Sequence, residues 1–183
     1  MFAKLAAIMV LAFSLSACAN TMDYSEMPSP QGRSVVRQEG RKPIQCAPYA
    51  REHSKVKIFG DAYTWWDQAG AAHYPRSTSP SPGAVMVLAG YSSTTHAHVA
   101  VVRRIVSSRE IRIDHANWLN NGAIFMDDPV ADISPNNDWT PVLVWNVQTH
   151  AWGVHTYNVT GFIEPKGGSS SMRVASSDAD LED

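Results

Sequence analysis

Two runs decide how this chain folds: Thr95-His96-Ala97-His98-Val99-Ala100-Val101-Val102, and Ile111-Arg112-Ile113-Asp114-His115-Ala116-Asn117-Trp118. Both are rich in β-branched residues and read as strands, the first running on to Val106 and the second starting at Glu110. A period of two puts His96 and His98 on one face of their strand. It also separates Ile111, Ile113, His115 and Asn117 from Arg112, Asp114 and Ala116. If the isoleucines mark the core side, His115 and Asn117 point toward the helices and Asp114 points away.

Further strands are expected at Ala84–Ala89, Val142–Asn146 and Val154–Ile163, after the turn-rich Ser77–Gly83. Upstream, Cys46–Lys55 and Asp61–Gly70 read as helices. The second carries Ala62, Trp65, Trp66 and Ala69 at helical spacing behind the break and cap of Gly60-Asp61. Helices first and strands after predict an α+β domain with N-terminal helices packed on an antiparallel sheet. Asp127-Asp128 and Asn136-Asn137-Asp138 read as turns.

The chain has 183 residues, 44% hydrophobic and 17% charged, with 15 Lys+Arg against 17 Asp+Glu and a formal charge of −2. That balance speaks against nucleic acid as a partner. The single charge of Lys4, the apolar Leu5–Leu15 and then Leu15-Ser16-Ala17-Cys18 read as an export signal ending in a lipobox, with Cys18 acylated at the mature N-terminus. Ordinary cleavage after Ala19 is the alternative. The apolar stretch is far short of the ~20 residues that span a bilayer. The expected organisation is a lipoprotein signal peptide at 1–17, a flexible tether at 18–41, a domain at 42–165 and a disordered acidic tail at 166–183. The expected location is the cell envelope, lipid-anchored on the periplasmic side of the inner or outer membrane.

With Cys18 assigned to lipid, Cys46 remains. It sits where the first helix begins, behind Pro43, where exposed N–H groups and the helix dipole stabilise a thiolate and can receive an oxyanion. A neighbouring imidazolium would lower its pKa further. The plain alternative is a small buried hydrophobe. His96, His98 and His115 are the candidate bases, with His115 or Asn117 as the orienting group.

Four segments, in order, resemble the CHAP domain, the cysteine- and histidine-dependent amidohydrolase/peptidase family of papain-like fold. They are Gln45-Cys46 with Tyr49-Ala50-Arg51; Gly60 through Ala62 with Trp66; Pro80-Ser81-Pro82-Gly83-Ala84-Val85-Met86-Val87; and His98-Val99-Ala100-Val101-Val102 followed by Ile113-Asp114-His115-Ala116-Asn117-Trp118. The resemblance implies a Cys46 nucleophile, His98 as base and then acid, and orienting groups at His115 and Asn117. Gln45 would be an oxyanion donor or a strut for the nucleophile. It further implies a peptidoglycan substrate, cut at the muramoyl–L-alanine amide or within the stem peptide. The family commonly has Glu where this chain has His115, so the carboxylate that would hold His98 as an imidazolium is missing.

Two other readings stand beside this one. His96, His98 and His115 with Cys46 could bind zinc, although no other metal motif is present. A non-catalytic, membrane-anchored cell-wall binding module on the same scaffold could use Trp65, Trp66, Trp118, Trp139, Trp145 and Trp152 as a groove. Calcium is not expected, because Arg33–Gln45 contains no aspartate. No metal or other cofactor is therefore expected. Whether a protein activator is required stays open in the sequence.

Overall fold

The computed structural model describes residues 27–32, 34–37, 43–90, 97–119 and 121–167. Cys18, His96, the signal segment and all of the acidic tail beyond 167 lie outside them.

Among the described residues, eight strands form one antiparallel sheet: β1 Val35–Arg37, β2 Arg76–Ser77, β3 Val85–Leu88, β4 His98–Ser107, β5 Glu110–Ala116, β6 Ile124–Asp132, β7 Pro141–Asn146 and β8 Ala151–Ile163. Their order is β1-β6-β5-β4-β3-β8-β2. Because β7 pairs with both β6 and β8, the strands β3 to β8 close into a six-membered ring. Closure removes the unpaired edges that an open sheet would expose. Two helices precede most of the sheet, α1 at Cys46–His53 and α2 at Trp65–Ala71, the latter entered through a 3-10 turn at Ala62–Thr64.

The core has two layers, and β3 separates them. Met86 and Leu88 point into the ring with Ala100, Val102, Ile111, Ile113, Val130, Val142 and Phe162. Val85 and Val87 point outward with Val99 and Val101, where Ala47, Ala50, Trp65 and Ala69 of the helices cover them. Strands buried on both faces lose the polar alternation of half-exposed ones, which is why Ala84–Ala89 is uniformly apolar. Each large apolar side chain buried this way contributes about 1.5–3 kcal/mol.

The expected α+β composition is met only roughly, since sheet dominates and the helices are short. The isoleucines of β5 do mark a core, but it is the interior of the ring. The helix side of β5 is the other face, where Ala116 packs against Tyr49 of α1. His115 therefore points into the ring and not toward the helices.

Two further expectations change. Part of the tether is docked on the domain: β1 pairs with β6, Arg112 Nη2 donates to the Gln31 carbonyl, and Trp152 Nε1 donates to Pro28 O at 3.1 Å. Asp127-Asp128 is not a turn but lies inside β6. Two steps along β5, from Ile113 to His115, correspond to three along β6, from Asp128 to Phe125, so β6 carries one extra residue. Asp127 adopts the left-handed φ of 56° that this bulge uses. Asp-Asp-Pro has the composition of a turn because the local chain does bend there. Pro129, which has no N–H to give the ladder, follows directly.

Candidate active site

Gln45 is the N-cap of α1, and the first intrahelical bond runs from Tyr49 N–H to Gln45 O at 3.1 Å. The N–H groups of Cys46 and Ala47 have no partner within the helix, and Pro48 has none to offer. Both N–H groups turn onto the Cys46 sulfur, joined by that of Val99 from β4. This contact ties the start of α1 to Val99 of β4, the residue that follows His98. At the other end of the helix, Lys57 Nζ closes the last turn on the Arg51 and Ser54 carbonyls at 2.5 and 2.7 Å.

His98 lines the ring on the same face as Ala100 and Val102 and is buried. Its Nε2 lies 2.9 Å from His115 Nδ1. His115 Nε2 lies 3.2 Å from Asp128 Oδ2, and both of those residues are fully buried. Trp118 packs edge-on over His98 at 4.9 Å between ring centroids, and Phe125 lies 5.3 Å from His115.

The direction of each proton follows from the carboxylate. With Asp128 Oδ2 as the acceptor, His115 carries its proton on Nε2 and presents a lone pair at Nδ1. His98 then donates from Nε2, and its lone pair is left on Nδ1. A buried carboxylate at the end of the chain thus selects which nitrogen of His98 is basic.

The same reasoning fixes the amides on the helix side. Gly122 N–H donates to Asn117 Oδ1 at 2.8 Å, so the Asn117 amide nitrogen faces Gln45 Oε1, at 2.7 Å. Gln45 Nε2 is then the end of that side chain left to donate. Gly122, at φ 70°, lies so close to Pro43 that an added Cβ would stand 2.3 Å from the Pro43 Cβ. A loop beyond β5 therefore braces the residues that lead into Cys46.

Of the sequence-predicted residues, His98 and His115 are hydrogen-bonded to each other inside the ring, while Cys46 lies at the start of α1 against the N–H of Val99. Asn117 does not orient His98; at φ 61° its side chain is committed to Gln45 and Gly122. Gln45 is held as a strut with a donor to spare. His98 Nε2 and His115 Nδ1 are spent on each other, and His96, the third histidine of the zinc reading, lies outside the described residues. Among the described residues no group of three or more His, Cys, Asp or Glu side chains converges as metal ligands. The tryptophans do not share a groove: Trp65 and Trp139 are buried, Trp118 covers the histidines, and Trp145 stacks edge-on against Trp152.

Sequence reasoning missed Asp128. Period-two counting across β6 places Phe125 and Asp128 on opposite faces, and only the bulge brings both to His115.

The protonation expected at the pair also changes. Burial pushes the Cys46 thiol up, against the pull of the Val99, Ala47 and Cys46 N–H groups, and the Asp61 charge adds to the rise. Burial, reinforced by His115, pushes His98 well below the usual imidazole range. Both shifts favour the uncharged forms, a thiol at Cys46 and a neutral imidazole at His98.

Residues 37–117 match the family model described as the CHAP domain. The match ends at Asn117, so Asp128 lies beyond it. No curated protein sequence matches the chain. Among solved structures, the chain is similar to an N-acetylmuramoyl-L-alanine amidase from Staphylococcus aureus, at 24% identity and a TM-score of 0.39. That likeness covers 64% of this chain and 30% of the amidase. So loose a likeness, over under a third of the other protein, bears on neither bond nor substrate.

Proposed function

We propose that this protein is a peptidoglycan hydrolase that cleaves amide bonds, at the muramoyl–L-alanine linkage or within the stem peptide, by thiol chemistry at Cys46. The observation that carries the reading is the hydrogen-bond chain from Asp128 through His115 to His98, whose chain neighbour Val99 holds the thiol at the start of α1. A packing cysteine needs no such neighbour.

In this reading His98 acts as a general base. Its Nδ1 takes the thiol proton as sulfur attacks the amide carbon, so the thiolate forms during the attack and is not stored beforehand. The tetrahedral oxyanion is received by the Cys46 and Ala47 N–H groups and by Gln45 Nε2. His98 returns its proton to the departing amine, leaving an acyl thioester. Water, deprotonated by the same nitrogen, then releases the acid and restores the thiol. His115 and Asp128 stabilise the transient imidazolium and hold its other proton on Nε2, so that Nδ1 is the nitrogen that exchanges protons with the reactants. This arrangement offsets the absent glutamate: the carboxylate is present, one imidazole further away.

The Leu15-Ser16-Ala17-Cys18 segment supports an exported protein whose acylated Cys18 holds it at a membrane of the envelope. Metabolic labelling with a fatty acid, lost in Cys18→Ala, is the check. For the activity, the purified protein is incubated with isolated peptidoglycan and the products are weighed by mass spectrometry. Soluble fragments with new amine and carboxyl ends are expected, and they identify the bond. Binding without release, or undiminished release by Cys46→Ala, is the opposite result.

A further inference from the structure

Between α2 and the ends of β3 and β8 lies a cavity of about 270 Å³, lined among others by Tyr63, Trp66, Asp67, Gly90, Ala97 and Thr160. Ala97 directly precedes His98 and packs against the same cluster as Cys46. Cys46, Trp66 and Ala97 thus border one apolar cluster, which puts the cavity on the helix side of the sheet, as the thiol is.

Its walls are set before any ligand arrives. The Arg76 guanidinium rests 4.9 Å from the centre of the Trp66 ring and donates to the Trp66 carbonyl at 3.4 Å. Gly161 runs so close to the same indole that a Cβ there would stand 2.4 Å from it. The only charged side chain in the lining is the Asp67 carboxylate. Asp67 has no hydrogen-bond or ion-pair partner among the described residues, while Arg76 is occupied with Trp66. The lining is thus acidic and aromatic, and among the described residues no cation is part of it.

We propose that this cavity is a specificity subsite for a substrate residue bearing a protonated amine, with its ammonium against Asp67 and its methylene stem along Trp66 and Tyr63. The proposal rests on the peptidoglycan reading and narrows it to stem peptides whose diamino acid carries a free side-chain amine. A carboxylate supplies the charge-assisted bond, and aromatic rings tolerate both the stem and the cation. Acylating that amine, as a cross-link does, removes the charge and enlarges the group. The subsite would therefore favour uncross-linked stems.

The test uses the full-length Cys46→Ala protein, which cannot turn over, and two peptidoglycan stem fragments that differ only in whether the side-chain amine is free or N-acetylated. By titration calorimetry the free amine should bind about 10- to 100-fold more tightly, the range for a hydrogen bond to a charged group. Asp67→Asn in the same background should bring the free-amine fragment down to the affinity of the acetylated one, and Asp67→Glu should retain most of the preference. Equal affinity for the two fragments, no binding of either, or a preference that survives Asp67→Asn would overturn the proposal. Failure of the hydrolase reading has a separate signature: the wild-type protein binds the fragments with this preference and cuts neither.

Discussion

Asp127 and Asp128 are neighbours of the same type, and the fold gives them opposite work. Asp127 faces outward and remains partly in contact with solvent. Its two carboxylate oxygens take the Arg104 fork, each at 2.9 Å, while its N–H donates to Asp114 Oδ1 at 2.7 Å and its carbonyl accepts from Arg112 at 3.2 Å. Asp128 faces inward, is sealed from solvent, and offers Oδ2 to His115 while its Oδ1 has no partner. The outer residue holds the bulge; the inner one holds a proton in place. A surface ion pair contributes little and is screened by salt. A buried carboxylate with one unmatched oxygen is costly, which points to a role in the chemistry and not in stability.

The comparison can be broken from the inside first. Asp128→Asn lets an amide N–H face His115, reverses both imidazole tautomers and puts a proton on His98 Nδ1. Hydrolysis should fall by about 10²- to 10⁴-fold, by analogy with the loss when the aspartate of a serine-protease triad becomes asparagine. The pH–rate profile should change with it, which distinguishes positioning from simple misfolding. An unchanged rate and profile would remove Asp128 from the site.

Next comes the outside of the same bulge. Asp127→Ala removes the acceptor of the Arg104 fork and the side chain that sits on the bulge. It should cost about 1–2 kcal/mol of stability in urea unfolding, with a smaller loss of activity than Asp128→Asn. A loss of activity equal to that of Asp128→Asn would mean that the two aspartates are not functionally distinct. Arg103→Ala leaves the fork intact and breaks a half-exposed pair at 2.9 Å to Asp114. Its expected effect is below about 1 kcal/mol and shrinks further in high salt.

Acid separates the two faces as well. His98 ionises in the folded protein only well below its ordinary 6.5, so between those limits the unfolded chain binds more protons. Stability should therefore decline as pH falls below 6.5, and His98→Gln should flatten that part of the curve. Asp127, held low chiefly by Arg104, acts lower still: its contribution is complete above 3.8 and is lost as pH falls through its folded value. Alkylation of Cys46 by iodoacetamide should be slow at neutral pH and accelerate toward pH 9 and beyond, since burial raises the thiol. A fast, flat reaction from pH 5 upward would instead indicate a stored ion pair.

Much of this site was legible because strands and helix starts leave local marks. Cys46 stands behind a proline at a helix start, His98 and His115 lie on alternating strands, and the position of both helices followed from spacing. What stayed hidden depends on distant chain. Ring closure through β7 decides which face of β5 is interior, and no window of sequence contains both β6 and β8. The bulge at Asp127 breaks the period on which the search for a third member relied. Asn117 shares a face with His115 by counting, but it lies past the end of β5, where a positive φ sends its side chain to Gln45. The helix N–H groups at Cys46 can be read from sequence, whereas the burial that outweighs them cannot.

The most direct test looks for the covalent intermediate. The wild-type protein is mixed with a defined muropeptide, quenched in acid within the first turnover, and digested for mass spectrometry. The account predicts an acyl adduct on the peptide that carries Cys46, depleted in His98→Ala and absent in Cys46→Ser. Turnover that proceeds with Cys46 unmodified, or an adduct on any other residue, would contradict it.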